Sequence, residues 1–265
     1  MQIKLGLVGL GYIGSVVLDF LTETKNNFVL QAVYDIEQER VQAVQQRFPK
    51  TRAMTNLTDF EDCDVIIEAA TQSAVEPIFD KAIEEKKIFI PMSIGAFLSF
   101  DSLYSKYSKL SDSKKRLIIF PAGAIGGFDC IETAQLVGID KAKITTRKPL
   151  RVFKNHPYVL KQGIEVSDKE PTTIFIGNAK TASQTFPRSV NVAARLALAT
   201  LGPTETEVEV IADPSVKSNI HEVTIISKAG NYTFRFQNLP SPTNPRTSWI
   251  AALSLVYQLK KLANG

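Results

Sequence analysis

The chain has 265 residues, of which 44% are hydrophobic, and a formal net charge of +4. This length and apolar content suit one large or two modest domains with a real core, and the small charge without a long basic run argues against nucleic-acid binding. The two cysteines, Cys63 and Cys130, have no metal-ligand spacing, so we expect no disulfide framework, no metal site and a reducing, cytoplasmic location. The chain begins directly with a strand pattern and has no apolar run near the roughly 20 residues that span a bilayer, so we expect neither a signal peptide nor a membrane segment.

The first predicted element is a buried strand, residues 3–8, followed at once by the motif Gly9-x-Gly11-x-x-Gly14 and a helix pattern. The first glycine permits a tight turn, the second lets the backbone approach a pyrophosphate, and the third lets the helix pack closely on the strand. The start of the helix would present free N–H groups to an anion. The residues predicted to bind a dinucleotide in this stretch are Gly9, Gly11, Tyr12, Ile13 and Gly14.

The second predicted strand, residues 28–34, ends in Asp35. A carboxylate at this place, about 20 residues after the glycines, accepts hydrogen bonds from the adenosine ribose. We therefore expect NAD as the cofactor, because the charge of Asp35 would repel the 2′-phosphate of NADP, although tolerance of NADP stays open. The alternative is a doubly wound domain whose glycine turn binds nothing.

Strands and helices continue to alternate through the first half of the chain. Helix patterns cover residues 37–48 and 75–83, and strand patterns cover residues 64–70, 88–90 and 117–120. The strand at 64–70 ends in small residues, which leave room for a ligand, so Ala70 joins the predicted cofactor site. This alternation predicts an α/β, Rossmann-type fold with a doubly wound parallel sheet.

After residue 120 the pattern changes to short strands and hairpin signals. Strand patterns cover residues 143–149, 172–176, 207–210, 223–227 and 232–236, and helix patterns cover 130–137, 190–201 and 248–262. We predict a second, α+β domain with an open, largely antiparallel sheet. The predicted bounds are 1–120 for the dinucleotide-binding domain, with a C-terminal helix at 246–265 packing back on it, and 121–245 for substrate binding and dimerisation.

Two histidines and several cations are the candidates for chemistry. His221 stands at the start of a predicted strand, and its ordinary pKa suits acid–base catalysis, with a hydrogen-bonded structural histidine as the alternative. His156 lies in a polar segment and is interpreted as a loop residue. Lys148 and Arg246 near a cofactor site would favour an anionic substrate, with surface charges as the alternative. Asn191 either sits near a helix cap or holds a ligand through its amide.

Five motifs, taken together and in order, resemble the L-aspartate dehydrogenase family over nearly the whole chain. They are Gly123-Ala124-Ile125-Gly126-Gly127-Phe128-Asp129, Thr146-Arg147-Lys148-Pro149, Phe186-Pro187-x-x-Val190-Asn191-Val192-Ala193-Ala194, Ala212-Asp213-Pro214 with Asn219-x-His221-Glu222, and Asn244-Pro245-Arg246-Thr247-Ser248.

The resemblance implies an NAD(P)-dependent enzyme that deaminates L-aspartate, by way of iminoaspartate, to oxaloacetate and ammonia. Whether the cell runs the reaction in this direction, to feed iminoaspartate into NAD biosynthesis, or in the reductive one stays open. It implies that His221 is the catalytic residue, acting as acid or base for the water that attacks the imine. It also implies that Ala124 and Asn191 contact the nicotinamide cofactor. The substrate would be held by Lys148, Asn191, Arg246, Thr247 and Ser248. We expect a homodimer that binds no nucleic acid and no membrane.

The chain departs from the family pattern at three positions. Ser189 stands where asparagine is usual, Arg195 where a neutral residue is usual, and Arg246 where lysine is more frequent. Two alternatives stay open at this point. One is another two-domain reductase of amino-acid metabolism, similar to homoserine dehydrogenase or dihydrodipicolinate reductase. The other is a non-catalytic protein that senses NADH.

Overall fold

The structure is a computed structural model of the chain and describes residues 2–23, 27–186, 191–242, 244 and 247–264. The chain divides into two compact units, which are Met1–Pro121 with Ala252–Gly265, and Ala122–Ala251. Each unit is built around its own five-stranded sheet. None of the helices in these described ranges is long and apolar enough to cross a membrane.

The first unit has a parallel sheet whose strands are connected by helices. In chain order its elements are β1 (Ile3–Val8), α1 (Tyr12–Glu23), β2 (Phe28–Tyr34), α2 (Gln38–Arg47), β3 (Arg52–Ala53), β4 (Val65–Glu68), α3 (Gln72–Glu84), β5 (Ile88–Pro91), α4 (Ala96–Ser99), α5 (Asp101–Ser108) and α6 (Asp112–Lys115). The strand order is β3-β2-β1-β4-β5, and every pairing is parallel. The predicted Rossmann-type sheet is therefore confirmed.

The apolar run at 117–120 does not form the predicted strand. It makes one isolated bridge, between Ile118 and Phe89 of β5. Phe120 instead packs edge-to-face against Phe97 and Tyr107, with ring centres 5.0 and 5.6 Å apart. Phe120 thus contributes to an aromatic cluster, and Ile119 packs against the apolar core of the first unit. The additional strand β3 has two residues and is too short to show any periodic pattern.

The second unit has a mixed sheet with helices packed on it. Its elements are α7 (Phe128–Gln135), β6 (Ile139–Lys148), a 3-10 turn (Leu150–Val152), α8 (Pro157–Gln162), β7 (Thr172–Asn178), α9 (Ala179–Thr185), α10 (Asn191–Ala199), β8 (Glu207–Ala212), β9 (Ile220–Ser227) and β10 (Gly230–Gln237). The strand order is β10-β9-β6-β8-β7, with β6 and β8 parallel and the other pairs antiparallel. The prediction of a largely antiparallel α+β sheet is confirmed.

The last helix, α11 (Trp249–Asn264), begins with the last three residues of the second unit. Its residues Leu255 and Leu259 belong to the same buried apolar cluster as Leu5 and Leu7 of β1. Since Ala252 to Gly265 are assigned to the first unit, the chain ends in the unit in which it began.

Candidate functional site

The glycine turn between β1 and α1 is shaped for the close approach of a ligand. Gly9 has a φ of +94°, and a Cβ there would lie 2.5 Å from the backbone of Ala69. A Cβ on Gly14 would overlap the carbonyl oxygen of Gly9. At Gly11, in contrast, the nearest atom among the described residues is Nη1 of Arg40, 4.0 Å away. The fold itself therefore requires Gly9 and Gly14, whereas Gly11 leaves open space over the turn, as a pyrophosphate requires.

Helix α1 begins at Tyr12, so Tyr12 and Ile13 lie in its first turn. The N–H groups of a helix's first turn have no acceptor within the helix, and they lie at the positive end of its dipole. These donors and the open backbone of Gly11 suit an anionic diphosphate. The residues present therefore fit the dinucleotide that the sequence motif predicts.

Asp35 follows β2, and the glycine turn holds its carboxylate. Oδ2 accepts a hydrogen bond from the N–H of Leu10 at 2.7 Å, and Oδ1 accepts one from the N–H of Glu37 at 2.9 Å. Arg40 places Nη1 3.7 Å from this carboxylate and Nη2 2.8 Å from that of Glu37. Asp35 is 7% exposed and Arg40 is 43% exposed. The predicted ribose-binding carboxylate thus has an accessible cation beside it.

A buried carboxylate fixes the turn that contains Ala70. Glu68 ends β4, and its Oε1 accepts hydrogen bonds from the N–H of Ala70 at 2.8 Å and from the hydroxyl of Ser93 at 2.9 Å. Its Oε2 accepts one from the N–H of Ser93 at 2.9 Å. Burial raises the pKa of this carboxyl group, while the donated hydrogen bonds oppose that rise. Sequence reasoning missed Glu68, although a charged residue inside the apolar run at 65–70 was the available signal.

In the second unit, three polar side chains come together on the buried face of the sheet. Thr146 and Lys148 lie on the same face of β6, and Thr146 is paired directly with His221 of β9. Oγ1 of Thr146 lies 2.9 Å from Nδ1 of His221. The exposed fractions of Thr146, Lys148 and His221 are 3%, 6% and 3%. Their neighbours on these strands are fully buried apolar residues: Ala142, Ile144, Val223 and Ile225.

Burial and the positive charge of Lys148 determine the charges of this cluster. Burial lowers the pKa of Lys148 to about 8. Burial and the positive charge of Lys148 together lower the pKa of His221 to about 3. His221 is therefore neutral at physiological pH, whereas Lys148 still carries its charge at pH 7. Adjacent buried groups with strongly shifted pKa values are typical of functional sites.

The end of β6 is fixed by the segment that follows β8. The N–H of Asp213 donates to the carbonyl oxygen of Lys148 at 2.9 Å, and its carboxylate pairs with Arg147 at 3.1 Å. The hydroxyl and N–H of Ser215 donate to the other carboxylate oxygen, and with Arg147 they hold the pKa of Asp213 below its usual value. Arg147 is thus part of a structural ion pair that supports the backbone of Lys148.

The second histidine has a structural role. His156 is the N-cap of α8, and its Nδ1 accepts a hydrogen bond from the N–H of Tyr158 at 3.3 Å. Its ring centre lies 5.0 Å from that of Phe186. Burial and the charge of Lys148 lower its pKa. His156 lies in the loop before α8, as predicted, and caps the start of that helix.

The two residues assigned to the nicotinamide lie in the second unit. Ala124 is buried, and its carbonyl oxygen accepts a hydrogen bond from Nδ2 of Asn238 at 2.7 Å. Asn191 is the first residue of α10. One turn later on the same helix, Arg195 pairs with Glu132 at 2.9 Å and stacks on the ring of Phe128 at 3.7 Å. The guanidinium of Arg195, a residue that departs from the family pattern, thus packs against α7.

The remaining predicted substrate residues lie before α11. The Thr247 hydroxyl accepts a hydrogen bond from Nδ2 of Asn244 at 3.3 Å, and Ser248 forms an isolated bridge with Pro240. Arg246 and Ser189 lie outside the described residues. No group of three or more His, Cys, Asp or Glu side chains in the described part of the chain is placed to hold a metal ion.

Sequence profiles of known families cover both units. The profile described as "Aspartate dehydrogenase, C-terminal" matches residues 129–262. The profile described as "Homoserine dehydrogenase, NAD binding domain" matches residues 9–121.

Curated proteins and solved structures are similar over nearly the whole chain. The L-aspartate dehydrogenase of Methanosarcina barkeri is 36% identical, over 98% of this chain and 97% of the relative. That of Methanocaldococcus jannaschii is 34% identical, over 99% and 97%. The crystal structure of aspartate dehydrogenase from Thermotoga maritima matches with a TM-score of 0.74 and 24% identity, over 99% of this chain and 97% of that one. This last likeness shows the fold.

Proposed function

Because the chain belongs to the L-aspartate dehydrogenase family and is an NAD-binding oxidoreductase, we propose that it oxidises L-aspartate to iminoaspartate, which water converts to oxaloacetate and ammonia. Bound NAD supplies the acceptor for the hydride that leaves Cα. Membership of this enzyme family leaves the non-catalytic NADH-sensing alternative without support.

The observation that carries the proposal is the buried cluster of Lys148, Thr146 and His221. Lys148 is a buried cation, and its ammonium can donate charge-assisted hydrogen bonds to a ligand with a carboxylate. His221 is a polar group in the same cluster and is the proposed catalytic residue. L-Aspartate has two carboxylates, and we assign its further contacts to Asn191, Arg246, Thr247 and Ser248.

Cofactor binding is assigned to the first unit's turns and to two residues of the second. Gly9, Gly11, Tyr12, Ile13 and Gly14 would hold the pyrophosphate. Asp35 would accept hydrogen bonds from the ribose, which supports NAD over NADP. Ala70 would line the strand-end pocket, and the family resemblance assigns Ala124 and Asn191 to the nicotinamide.

The substrate is tested by NADH formation in a panel of amino acids. We expect a higher kcat/KM for L-aspartate than for L-glutamate, L-alanine or L-homoserine. The variant Lys148→Met should raise the KM for aspartate, whereas Lys143→Met, on the other face of β6, should keep the wild-type KM. A preference for homoserine would favour the alternative reductase and contradict the proposal.

We also propose a homodimer, formed through the outer face of the second sheet. On this face Ile176 is 75% exposed and Ile226 is 38% exposed, which is unusual for large apolar side chains of a strand. Light scattering should give twice the 29.3 kDa chain mass, and Ile176→Glu should shift the protein towards a monomer. A monomeric wild-type protein would contradict this assembly.

A cytoplasmic location and a supply of iminoaspartate to NAD biosynthesis stay predictions. The support for the first is chemical, since Cys63 and Cys130 are both free thiols. The supply of iminoaspartate would be tested by coupling the enzyme to a reaction that converts iminoaspartate to quinolinate and measuring the quinolinate formed.

A further inference from the structure

The hydrogen bond between Thr146 and His221 has a direction that decides how the histidine can act. Oγ1 and Nδ1 are 2.9 Å apart, and both side chains are buried. In a neutral imidazole one nitrogen donates and the other accepts. If Nδ1 accepts, the proton of the ring lies on Nε2, and the ring offers a donor there. If Nδ1 donates, Nε2 is an acceptor and can serve as a base.

The surroundings of Thr146 favour donation from the hydroxyl to the ring. Within the described residues, Nδ1 of His221 is the hydrogen-bond partner of Oγ1, and no other is found. If the ring donated to Oγ1, the hydroxyl proton of Thr146 would be buried without an acceptor, which is costly. Donation from Thr146 satisfies both groups and places the proton of the neutral ring on Nε2.

We propose that Thr146 is a positioning residue that holds neutral His221 with its proton on Nε2, so that His221 donates a hydrogen bond to an oxygen of the bound dicarboxylate rather than serving as the base for water. The identity of that ligand rests on the proposed function, whereas the position of the proton does not. A neutral histidine that acts as a donor has a precedent in enzymes that polarise carbonyl groups.

The charges around the ring support the neutral form. Lys148 lies on the same face of β6, and its positive charge disfavours an imidazolium, as burial also does. Protonation would also turn Nδ1 into a donor and force the Thr146 hydroxyl to give up its acceptor. Three features of the cluster thus keep His221 neutral, with an Nε2–H that donates to no other residue in the described part of the chain.

Imidazole nitrogen NMR of the substrate-free full chain tests the position of the proton. The chain has two histidines, and the signal that disappears in His221→Gln identifies His221. We expect Nε2 to be protonated and Nδ1 unprotonated at pH 7 in the wild type and in Thr146→Ser, which keeps the hydroxyl. Thr146→Val, similar in shape but without the hydroxyl, should lose this single tautomer. A wild-type ring protonated on Nδ1, or a tautomer unaffected by Thr146→Val, would overturn the proposal.

Kinetics of two His221 variants test the donor role. The amide of glutamine supplies an N–H donor but cannot accept a proton as a base. We therefore expect His221→Gln to keep a kcat/KM at least about tenfold above that of His221→Ala, as for loss of one hydrogen bond to a charged group. A general base predicts that both variants lose about 10²–10⁴ equally, and that result would contradict the donor role. If the wild type oxidised no aspartate, the proposed function would fail, while the NMR result would still decide the tautomer.

Discussion

The buried cation of Lys148 should lower the free energy of unfolding and raise the affinity of the protein for its substrate. Burial lowers the pKa of Lys148 from 10.5 to about 8. A change of this size corresponds to about 3 kcal/mol against the charged form in the folded chain. Because the folded-state pKa lies below the unfolded one, the full cost applies below about pH 8. It disappears as the pH rises towards 10.5, since the unfolded chain then binds more protons.

Lys148→Met removes the charge and keeps most of the side-chain volume. At pH 7 we expect the free energy of unfolding to rise by up to about 3 kcal/mol, which is a Tm increase of about 5–10 °C by calorimetry. This gain should shrink as the pH is raised towards 10. The same variant should raise the KM for aspartate about 10- to 100-fold, as for a lost charge-assisted hydrogen bond, and leave the KM for NAD nearly unchanged.

Lys143 provides the matched control on the same strand. It is 34% exposed and pairs with Glu209 at 2.7 Å. Lys143→Met should lower stability by about 0–1 kcal/mol and leave aspartate kinetics unchanged. If Lys148→Met were less stable than the wild type at pH 7, or if it kept the wild-type KM for aspartate, the reasoning about this buried cation would be refuted.

Three further predictions concern the cofactor turn and the pH dependence. Gly11→Ala should keep the wild-type Tm but lose NAD binding in a fluorescence titration, whereas Gly9→Ala should lower the Tm because Gly9 has a φ of +94°. If Gly11→Ala bound NAD as tightly as the wild type, the assignment of the glycine turn to the pyrophosphate would be wrong. Asp35→Ser should weaken NAD binding and lower the ratio of kcat/KM with NAD to that with NADP. Arg40→Gln should raise the same ratio, because it removes the cation beside Asp35. An unchanged ratio in both variants would contradict both roles. The KM for aspartate should rise above about pH 8, as Lys148 loses its proton. Lys148→Arg should abolish this rise because a guanidinium stays charged. A wild-type KM that stays constant to pH 10 would contradict the role of Lys148 in binding the substrate carboxylate.

The first unit was largely predictable because its signals are local. Strands buried on both faces appear as apolar runs, and the turn from β1 to α1 is marked by glycines that its backbone requires. The run at 117–120 gave the same apolar signal, yet Phe120 packs in an aromatic cluster. A short apolar run does not reveal whether its backbone pairs with a strand or its side chains fill a core.

The cluster in the second unit depends on long-range pairing and could be predicted only in part. The family resemblance indicated Lys148 and His221 in two separate motifs and did not indicate that they lie in one cluster. The partner of His221 is Thr146, 75 positions away in sequence, and their contact follows from the antiparallel register of β6 and β9. The low pKa values also follow from burial, which the residue types do not disclose. Alternation along β6 does place Thr146 and Lys148 on one face, and this was the available signal.

The most direct test of the central claim follows the hydrogen on Cα of the substrate. The protein would be incubated with NAD and L-aspartate deuterated at Cα, and NADH, oxaloacetate and ammonia would be quantified together. We predict equal amounts of the three products, with the deuterium in the reduced nicotinamide. Formation of NADH without deuterium, or of no NADH from L-aspartate, would contradict the assignment of this chain as an enzyme that oxidises aspartate at Cα.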